Sequence, residues 1–423
     1  MVLSHGEREG FKLQPRFNVI WLFLMLIAGI FSLLYLWYVL FPGRADPEVF
    51  KYFTADQFSR AREYTTTLRL FFIGSFLIQA AVLGWLVFGG RAAGLSSWAR
   101  ELAGNSYIGG VLVLFLSVWM LQRLISLPFL LYGDYYWQHR WGFSTQTMGS
   151  WWIDYLKMAG IELVLTSLGV AVFFLILNRW PGTWWIVGAS FLSVWLVIQS
   201  YIWPVAVAPL FNSFEPAKNQ SLIEMVDALS SKAGVPVDKV LIMDASQRTT
   251  KANAYFAGLG KTKQIVLYDT LLEKYPMEQV EAVVAHEMAH WRQGHIVKGI
   301  ALGIAGNFLL WGLLFLLIRL TVSIPWYMHY PPHTWIIVML FFTLVSFSSS
   351  PLQNYFSRAM EREADLVAVQ LTGNPAAAKN LHINLAAGNL SDLSPNYFIR
   401  WFSYSHPPVL ERIETVNQAV SKQ

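Results

Sequence analysis

Cysteine is absent from all 423 residues of this chain. Disulfide bonds, iron–sulfur clusters, thiolate metal sites and cysteine nucleophiles are therefore excluded, and any metal must be bound through nitrogen or oxygen. Charge is also scarce, because Asp, Glu, Lys and Arg make up 13% of the sequence, about half of the roughly 25% that is usual in globular domains.

Clusters of basic residues are also missing, and the net charge is only +5. This balance gives no indication of a nucleic-acid partner. Hydrophobic residues instead make up 55% of the chain, and 19 tryptophans and 18 tyrosines supply the amphipathic rings that collect where lipid headgroups meet water. The composition predicts an integral, multi-pass membrane protein in contact with membrane lipid.

Seven apolar runs are each long enough for a helix that crosses a bilayer, which takes about 20 residues. The first run follows a basic segment but is too long for a cleaved signal peptide, so we predict that it is retained. The runs lie near residues 18–41, 70–89, 107–131, 159–178, 184–203, 297–320 and 334–350.

The polar remainder falls mainly into two stretches. We predict a membrane domain of five helices at residues 1–204, a polar stretch at 205–296, two more membrane helices at 297–350 and a second polar stretch at 351–423. Because two helices separate the polar stretches, both emerge on the same side of the membrane and can build one domain.

Periodicity within the first polar stretch predicts an amphipathic helix around Leu222, Val226 and Leu229, strands at residues 240–243 and 264–268, and then a second helix. The predicted fold class is therefore an α-helical integral membrane protein with seven transmembrane helices and a small α+β domain that two polar segments form together.

The second helix is predicted to start at Pro276, with Glu278 in its first turn. It carries the sequence HEMAH, in which His286 and His290 lie four residues apart on one helical face. This spacing lets two imidazoles reach one zinc ion, and the neighbouring Glu287 can act as the general base that activates water. We predict one Zn²⁺ per chain.

A third ligand is expected, because catalytic zinc usually takes three from the protein. The segment SRAMEREAD at 357–365 offers Glu361 as this ligand, and Asp365 can accept a hydrogen bond from the free ring nitrogen of a ligand histidine. Glu363 is the rival, but it points about 200° away from Glu361 and is expected to pair with a basic residue. Without HEMAH, the three acids would be interpreted as a solvated charged face.

Two other histidines lie near these motifs. His295, five residues beyond His290, falls off the ligand face and is predicted to be an interfacial histidine. His406, in SHPPVLERI, has a side chain that can stabilise the oxyanion of a tetrahedral intermediate, although the residues alone leave that role open.

These segments, in this order, resemble the type I CAAX prenyl proteases, zinc endopeptidases that process prenylated proteins at internal membranes. HEMAH alone is shared by many zinc proteases, whereas the ordered set along nearly the whole chain is specific. The segments are FTADQFSRAREYT at 53–65, PLFNSFEP at 209–216, NAYFAG at 253–258, HEMAH, SRAMEREAD and YSHPPVLERI at 404–413.

The resemblance implies roles for four residues. The third zinc ligand of the family falls on Glu361 and the following aspartate on Asp365, in agreement with the interpretation from spacing. The histidine that stabilises the transition state falls on His406, and the arginine that supports the site by a salt bridge falls on Arg412.

The resemblance also implies an edge strand that hydrogen-bonds the substrate backbone by strand addition. The residues concerned are Asn253, Ala254 and Tyr255. It further implies that the seven helices ring a chamber, which a zincin-like metalloprotease domain caps on the cytoplasmic side. Charge favours this orientation only weakly, through basic residues that flank the polar stretches: Lys218, Arg292, Lys298, Arg358 and Arg362.

The expected function is that of a zinc metalloendopeptidase that removes the C-terminal tripeptide of prenylated proteins. The first alternative is a membrane quality-control protease of the HtpX kind, which cleaves unprenylated, misfolded proteins. The second is a channel, transporter or scaffold with a structural zinc, which would retain its function when Glu287 is replaced.

Overall fold

Helices make up most of the chain in the computed structural model, which describes residues 15–257, 263–322 and 329–421. The membrane half contains α1 Val19–Leu40, α2 Ala55–Phe88, α3 Ala92–Leu102, α4 Tyr107–Leu130, α5 Trp137–Arg140, α6 Met148–Arg179 and α7 Trp184–Ile202. The remaining helices are α8 Gln220–Ala233, α9 Asp269–Lys274, α10 Met277–Arg292, α11 His295–Thr321, α12 Thr334–Thr372, α13 Pro375–Gly388, α14 Tyr397–Ser403 and α15 Val409–Ser421.

Seven helical segments in the described ranges are long and apolar enough to cross a membrane, which confirms the predicted number. Several extend well beyond the apolar runs. The helix α2 begins at Ala55, where a capping box between Thr54 and Gln57 satisfies its first N–H groups. Because the cap lies so far before the apolar run, the first part of this helix consists mainly of polar residues.

The last of these segments, α12, is one continuous helix of 39 residues that passes through Pro351. Its first half packs in the apolar core of the membrane half through residues such as Phe341 and Phe347. Its second half packs in the core of the α+β unit through Ala364 and Ala368. The domain boundary predicted at residue 350 therefore falls inside a helix that belongs to both halves.

Within the described residues, the α+β unit contains one sheet of four strands in the order β1-β2-β4-β3. The central pair β2–β4 is parallel, and both outer pairs are antiparallel. The strands are β1 Phe214–Pro216, β2 Lys239–Met243, β3 Ala254–Ala257 and β4 Gln264–Tyr268. The two strands predicted from the sequence are β2 and β4, and β3 lies at an edge of the sheet, as the resemblance implied.

The helices α8 and α10 pack on this sheet in a core that includes Leu222, Val226, Leu267 and Val284. The helix α10 begins at Met277, one residue later than predicted, because Pro276 is the residue that caps it. It ends before Gly294, whose φ of +66° breaks the helix and lets α11 start in a new direction. This turn brings the beginning of a membrane helix back against the end of α10.

Candidate metal centre and its cavity

Three side chains from α10 and α12 converge at the junction of the two halves. The Nε2 atoms of His286 and His290 are 3.1 Å apart, and Glu361 places Oε2 3.2 Å from the first and Oε1 3.4 Å from the second. A tetrahedral zinc ion with bonds of about 2.0–2.1 Å separates its ligand atoms by about 3.3 Å. The three distances therefore fit one metal ion.

The surrounding hydrogen bonds leave the correct atoms available to such an ion. The Nδ1 of His286 is 2.9 Å from Asp365 Oδ1, so it donates its hydrogen there and Nε2 keeps its lone pair. Glu361 Oε2 is buried and has no hydrogen-bond partner in the described part of the chain. Two nitrogen lone pairs and a carboxylate that face one another repel unless a cation lies between them.

A buried ion pair fixes Asp365. Arg412, on α15, donates from Nε to Asp365 Oδ2 at 2.9 Å and from Nη2 to Oδ1 at 2.5 Å, and only 1% of the aspartate side chain is exposed. His382, on α13, is also buried, with Nε2 3.7 Å from Asp365 Oδ1, and burial lowers the pKa of its imidazole to about 3. No sequence signal marked His382, which lies among apolar residues.

His295 occupies a position that the sequence interpretation got wrong. It is buried rather than interfacial, and its Nδ1 is 2.9 Å from Nδ1 of His290. Its Nε2 donates to Glu363 Oε2 at 3.0 Å, and Lys298 Nζ is 3.6 Å from the same oxygen, so Glu363 does pair with a basic residue. Because His290 needs its Nε2 for a metal, its Nδ1 donates to His295.

Replacing His295 with leucine is expected to raise the dissociation constant for zinc about 10- to 100-fold, because His290 loses the acceptor that fixes its tautomer. Competition with a chromophoric chelator in detergent measures this constant. His295→Gln, whose carbonyl oxygen can accept the same hydrogen bond, serves as the matched control and should retain most of the affinity. Equal affinities for the leucine variant and the wild type would contradict the expectation.

A cavity of about 540 Å³ adjoins the converging side chains, and we call it the site cavity. Glu287 lines it, and burial raises the pKa of its carboxyl above the ordinary value. His406 also lines the cavity, with its exposed ring held by Ser405 and its Nε2 3.4 Å from Glu361 Oε1. The carboxyl of Glu287 and the imidazole of His406 therefore line the same cavity.

The edge strand borders the same cavity. Asn253 and Ala254 belong to its lining, whereas the side chain of Tyr255 packs on the other face of the sheet against Met243 and Val266. The backbone oxygen of Asn253 accepts a hydrogen bond from Tyr268 on β4. Because antiparallel pairs alternate, the N–H and C=O groups of Ala254 point away from β4 toward the edge of the sheet, where the N–H donates to Asn253 Oδ1 at 2.9 Å.

A second cavity of about 670 Å³, the membrane cavity, lies between α2, α4 and α12. Its lining combines phenylalanine rings, including Phe71, Phe72 and Phe129, with polar groups such as Gln79. On α2, Tyr64 and Thr65 line the site cavity and Leu68 lines the membrane cavity, so a single turn of helix separates the two.

Two family models match the chain. Peptidase family M48 matches residues 216–420, and the CAAX prenyl protease N-terminal model, with five membrane helices, matches residues 42–213.

Similar proteins match most of the length of this chain. An uncharacterized metalloprotease, YhfN, of Bacillus subtilis is 29% identical over 91% of this chain and 93% of its own. A CAAX prenyl protease 1 homolog of Arabidopsis thaliana is 30% identical over 74% of this chain and 73% of its own. The crystal structure of S. mikatae Ste24p has a TM-score of 0.82 at 24% identity and covers 95% of this chain and 100% of its own, so the two share a fold.

The membrane helices, the converging ligands and these matches define an integral, multi-pass membrane metalloendopeptidase. The chain belongs to peptidase family M48 and, within it, to the type I CAAX prenyl proteases. The predicted family, fold class and enzymatic activity are thereby confirmed, against the alternative of a channel, transporter or scaffold. Membership implies a bound metal ion, typically zinc.

Proposed function

We propose that the protein removes the C-terminal tripeptide of prenylated proteins, by hydrolysis at one zinc ion per chain held by His286, His290 and Glu361. The observation that carries this proposal is the set of three ligand distances between 3.1 and 3.4 Å at the wall of a cavity bordered by an edge strand. In the proposal, residues 205–296 and 351–423 form the protease domain, and the helices of residues 1–204 and 297–350 surround the chamber.

The metal, when bound, polarises the scissile carbonyl and lowers the pKa of water. Glu287 takes the proton of the attacking water and then delivers it to the leaving amine. The imidazole of His406 stabilises the oxyanion that forms at the former carbonyl oxygen of the scissile bond when the carbon becomes tetrahedral. Asp365 orients His286, and Arg412 holds Asp365 in place.

The substrate peptide is proposed to add as a strand along β3. The carbonyl oxygen of Ala254 accepts a hydrogen bond from it, and the amide side chain of Asn253, which accepts from the N–H of Ala254, contacts it beside the scissile bond. Tyr255 anchors the strand through the sheet core. The supporting observations are the open edge at Ala254 and the place of Asn253 in the cavity lining.

The prenyl chain is proposed to enter the membrane cavity, one helical turn from the site cavity along α2. Its phenylalanine rings offer the apolar surface that an isoprenoid needs, and each buried methylene contributes about 0.8 kcal/mol. The protease domain is proposed to face the cytoplasm, supported by the basic residues that flank its two segments. Nucleic acid is not a proposed partner.

The test is cleavage of a farnesylated CAAX peptide and of its unprenylated twin by detergent-purified protein. We expect kcat/KM to be at least tenfold higher for the lipidated peptide, because only that peptide transfers apolar surface into the membrane cavity. Glu287→Gln is the matched control and should cut both peptides at least about 100-fold more slowly than the wild type.

Equal cleavage of both peptides would contradict the prenyl-specific function and leave a general membrane protease, as in the quality-control alternative. Zinc-loaded wild type that cuts neither peptide would contradict the proposed substrate altogether. Metal analysis of the same preparation gives the zinc content per chain.

A further inference from the structure

A lysine beside the edge strand lacks a carboxylate partner. Lys251 Nζ donates to Tyr64 Oη at 2.8 Å, and it lies 4.5 Å from the ring centre of Phe143 and 5.1 Å from that of Tyr64. No ion pair joins it to any acid of the described residues, although Asp134 is near enough to be influenced by its charge. An ammonium group has three donors, and this one uses a single donor on a described side chain.

Two arginines near the site cavity are each paired with a carboxylate. Arg69 lies 2.7 Å from Asp392, and Arg412 is bound to Asp365 on both of its oxygens. Tyr64, which accepts the hydrogen bond from Lys251, lines the site cavity itself. Ala252, the next residue in the chain, lines the cavity as well. The ammonium group of Lys251 therefore lies one hydrogen bond from the cavity wall, and two of its three donors have no partner among the described residues.

The separation between Lys251 and Ala254 along the chain equals the length of a tripeptide. Lys251 precedes Ala254, the residue whose backbone groups face the open edge, by three residues. A substrate that pairs antiparallel with β3 directs its C-terminal part toward the residues before Ala254. Three extended residues span about 10 Å. If the proposed strand addition places the cleaved bond opposite Ala254, the third residue after that bond ends beside Lys251.

We propose that Lys251 binds the terminal carboxylate of the substrate and so selects peptides that end three residues after the cleaved bond. The inference rests on the proposed function, since it assumes strand addition at β3. The aromatic rings of Tyr64 and Phe143 hold the ammonium group in place, and their apolar surroundings strengthen its attraction for a carboxylate. A chain cleaved far from its C-terminus offers no such anion.

Two farnesylated CAAX peptides that differ only at the C-terminus test this inference, one with a free carboxylate and one with an amide. For the wild type, we expect kcat/KM to be about 10- to 100-fold higher for the carboxylate, the range of a charged hydrogen bond. Lys251→Met should bring this ratio close to one, and Lys251→Arg, which keeps the cation, should preserve most of it. The difference should appear in KM rather than kcat, because the contact is equal in the ground and transition states.

A ratio near one for the wild type, or an unchanged ratio for Lys251→Met, would overturn the inference while the protease function stands. A purely structural role of Lys251 would slow cleavage of both peptides by the same factor. If zinc-loaded wild type cuts neither peptide, the proposed function fails first, and this outcome is distinct from the loss of carboxylate preference.

Discussion

Replacing Glu287 with glutamine is expected to give a folded, zinc-loaded protein whose kcat is reduced about 10²- to 10⁴-fold, because the amide cannot accept a proton from the attacking water. The isosteric side chain leaves the ligand set of His286, His290 and Glu361 intact. Single-turnover cleavage of the farnesylated peptide and metal analysis on the same sample measure the two quantities together.

Glu278→Gln is the matched control, since Glu278 is exposed in the first turn of the same helix. It should retain wild-type activity. Activity of Glu287→Gln within tenfold of the wild type would exclude Glu287 as the general base. Loss of zinc from this variant would instead assign the lost activity to the metal site.

Replacing Arg412 with leucine is expected to lower the free energy of unfolding by about 3–5 kcal/mol, because it leaves the buried carboxylate of Asp365 without its counter-charge. Both side chains are largely buried, with 16% of the arginine and 1% of the aspartate exposed. Thermal unfolding followed by tryptophan fluorescence in detergent measures the effect as a lower melting temperature.

An exposed ion pair supplies the comparison. Arg60 and Asp56 are 3.9 Å apart and mostly solvent-exposed, so Arg60→Leu should cost no more than about 1 kcal/mol. The double variant Asp365→Asn with Arg412→Leu should recover part of the loss, because it removes the unpaired charge. A melting temperature of Arg412→Leu equal to that of Arg60→Leu would show that the buried pair adds nothing to stability.

Local spacing was enough to predict much of the site. His286 and His290 are one helical turn apart, and so are Glu361 and Asp365, so each pair could be assigned to one face before the fold was known. The strand β4 was predicted with its observed limits because an apolar run there is bounded by polar residues. These features depend on neighbours within a few residues.

Residue spacing does not predict contacts that depend on a change of chain direction, and some of these contacts are identified only through the family resemblance. On one continuous helix, a residue five positions after His290 lies off the ligand face, which is why the spacing misplaces His295. The positive φ of Gly294 instead starts a new helix that brings the His295 ring back to His290. His382 and Arg412 reach Asp365 from helices later in the chain, and no periodicity connects such distant segments. Only the tertiary fold brings them together.

The continuity of α12 fixes the height of hydrolysis relative to the bilayer. Glu361 follows Thr334 by 27 residues in one helix, which at 1.5 Å per residue is about 40 Å. A bilayer measures about 40–45 Å with its headgroups, so if Thr334 lies at one membrane surface and the helix runs along the bilayer normal, Glu361 lies at the headgroups of the opposite leaflet. The length of α12 thus sets the depth of the site relative to the bilayer. A protein anchored in that leaflet by a lipid presents the peptide bonds next to its anchor at this depth, and a freely soluble protein does not.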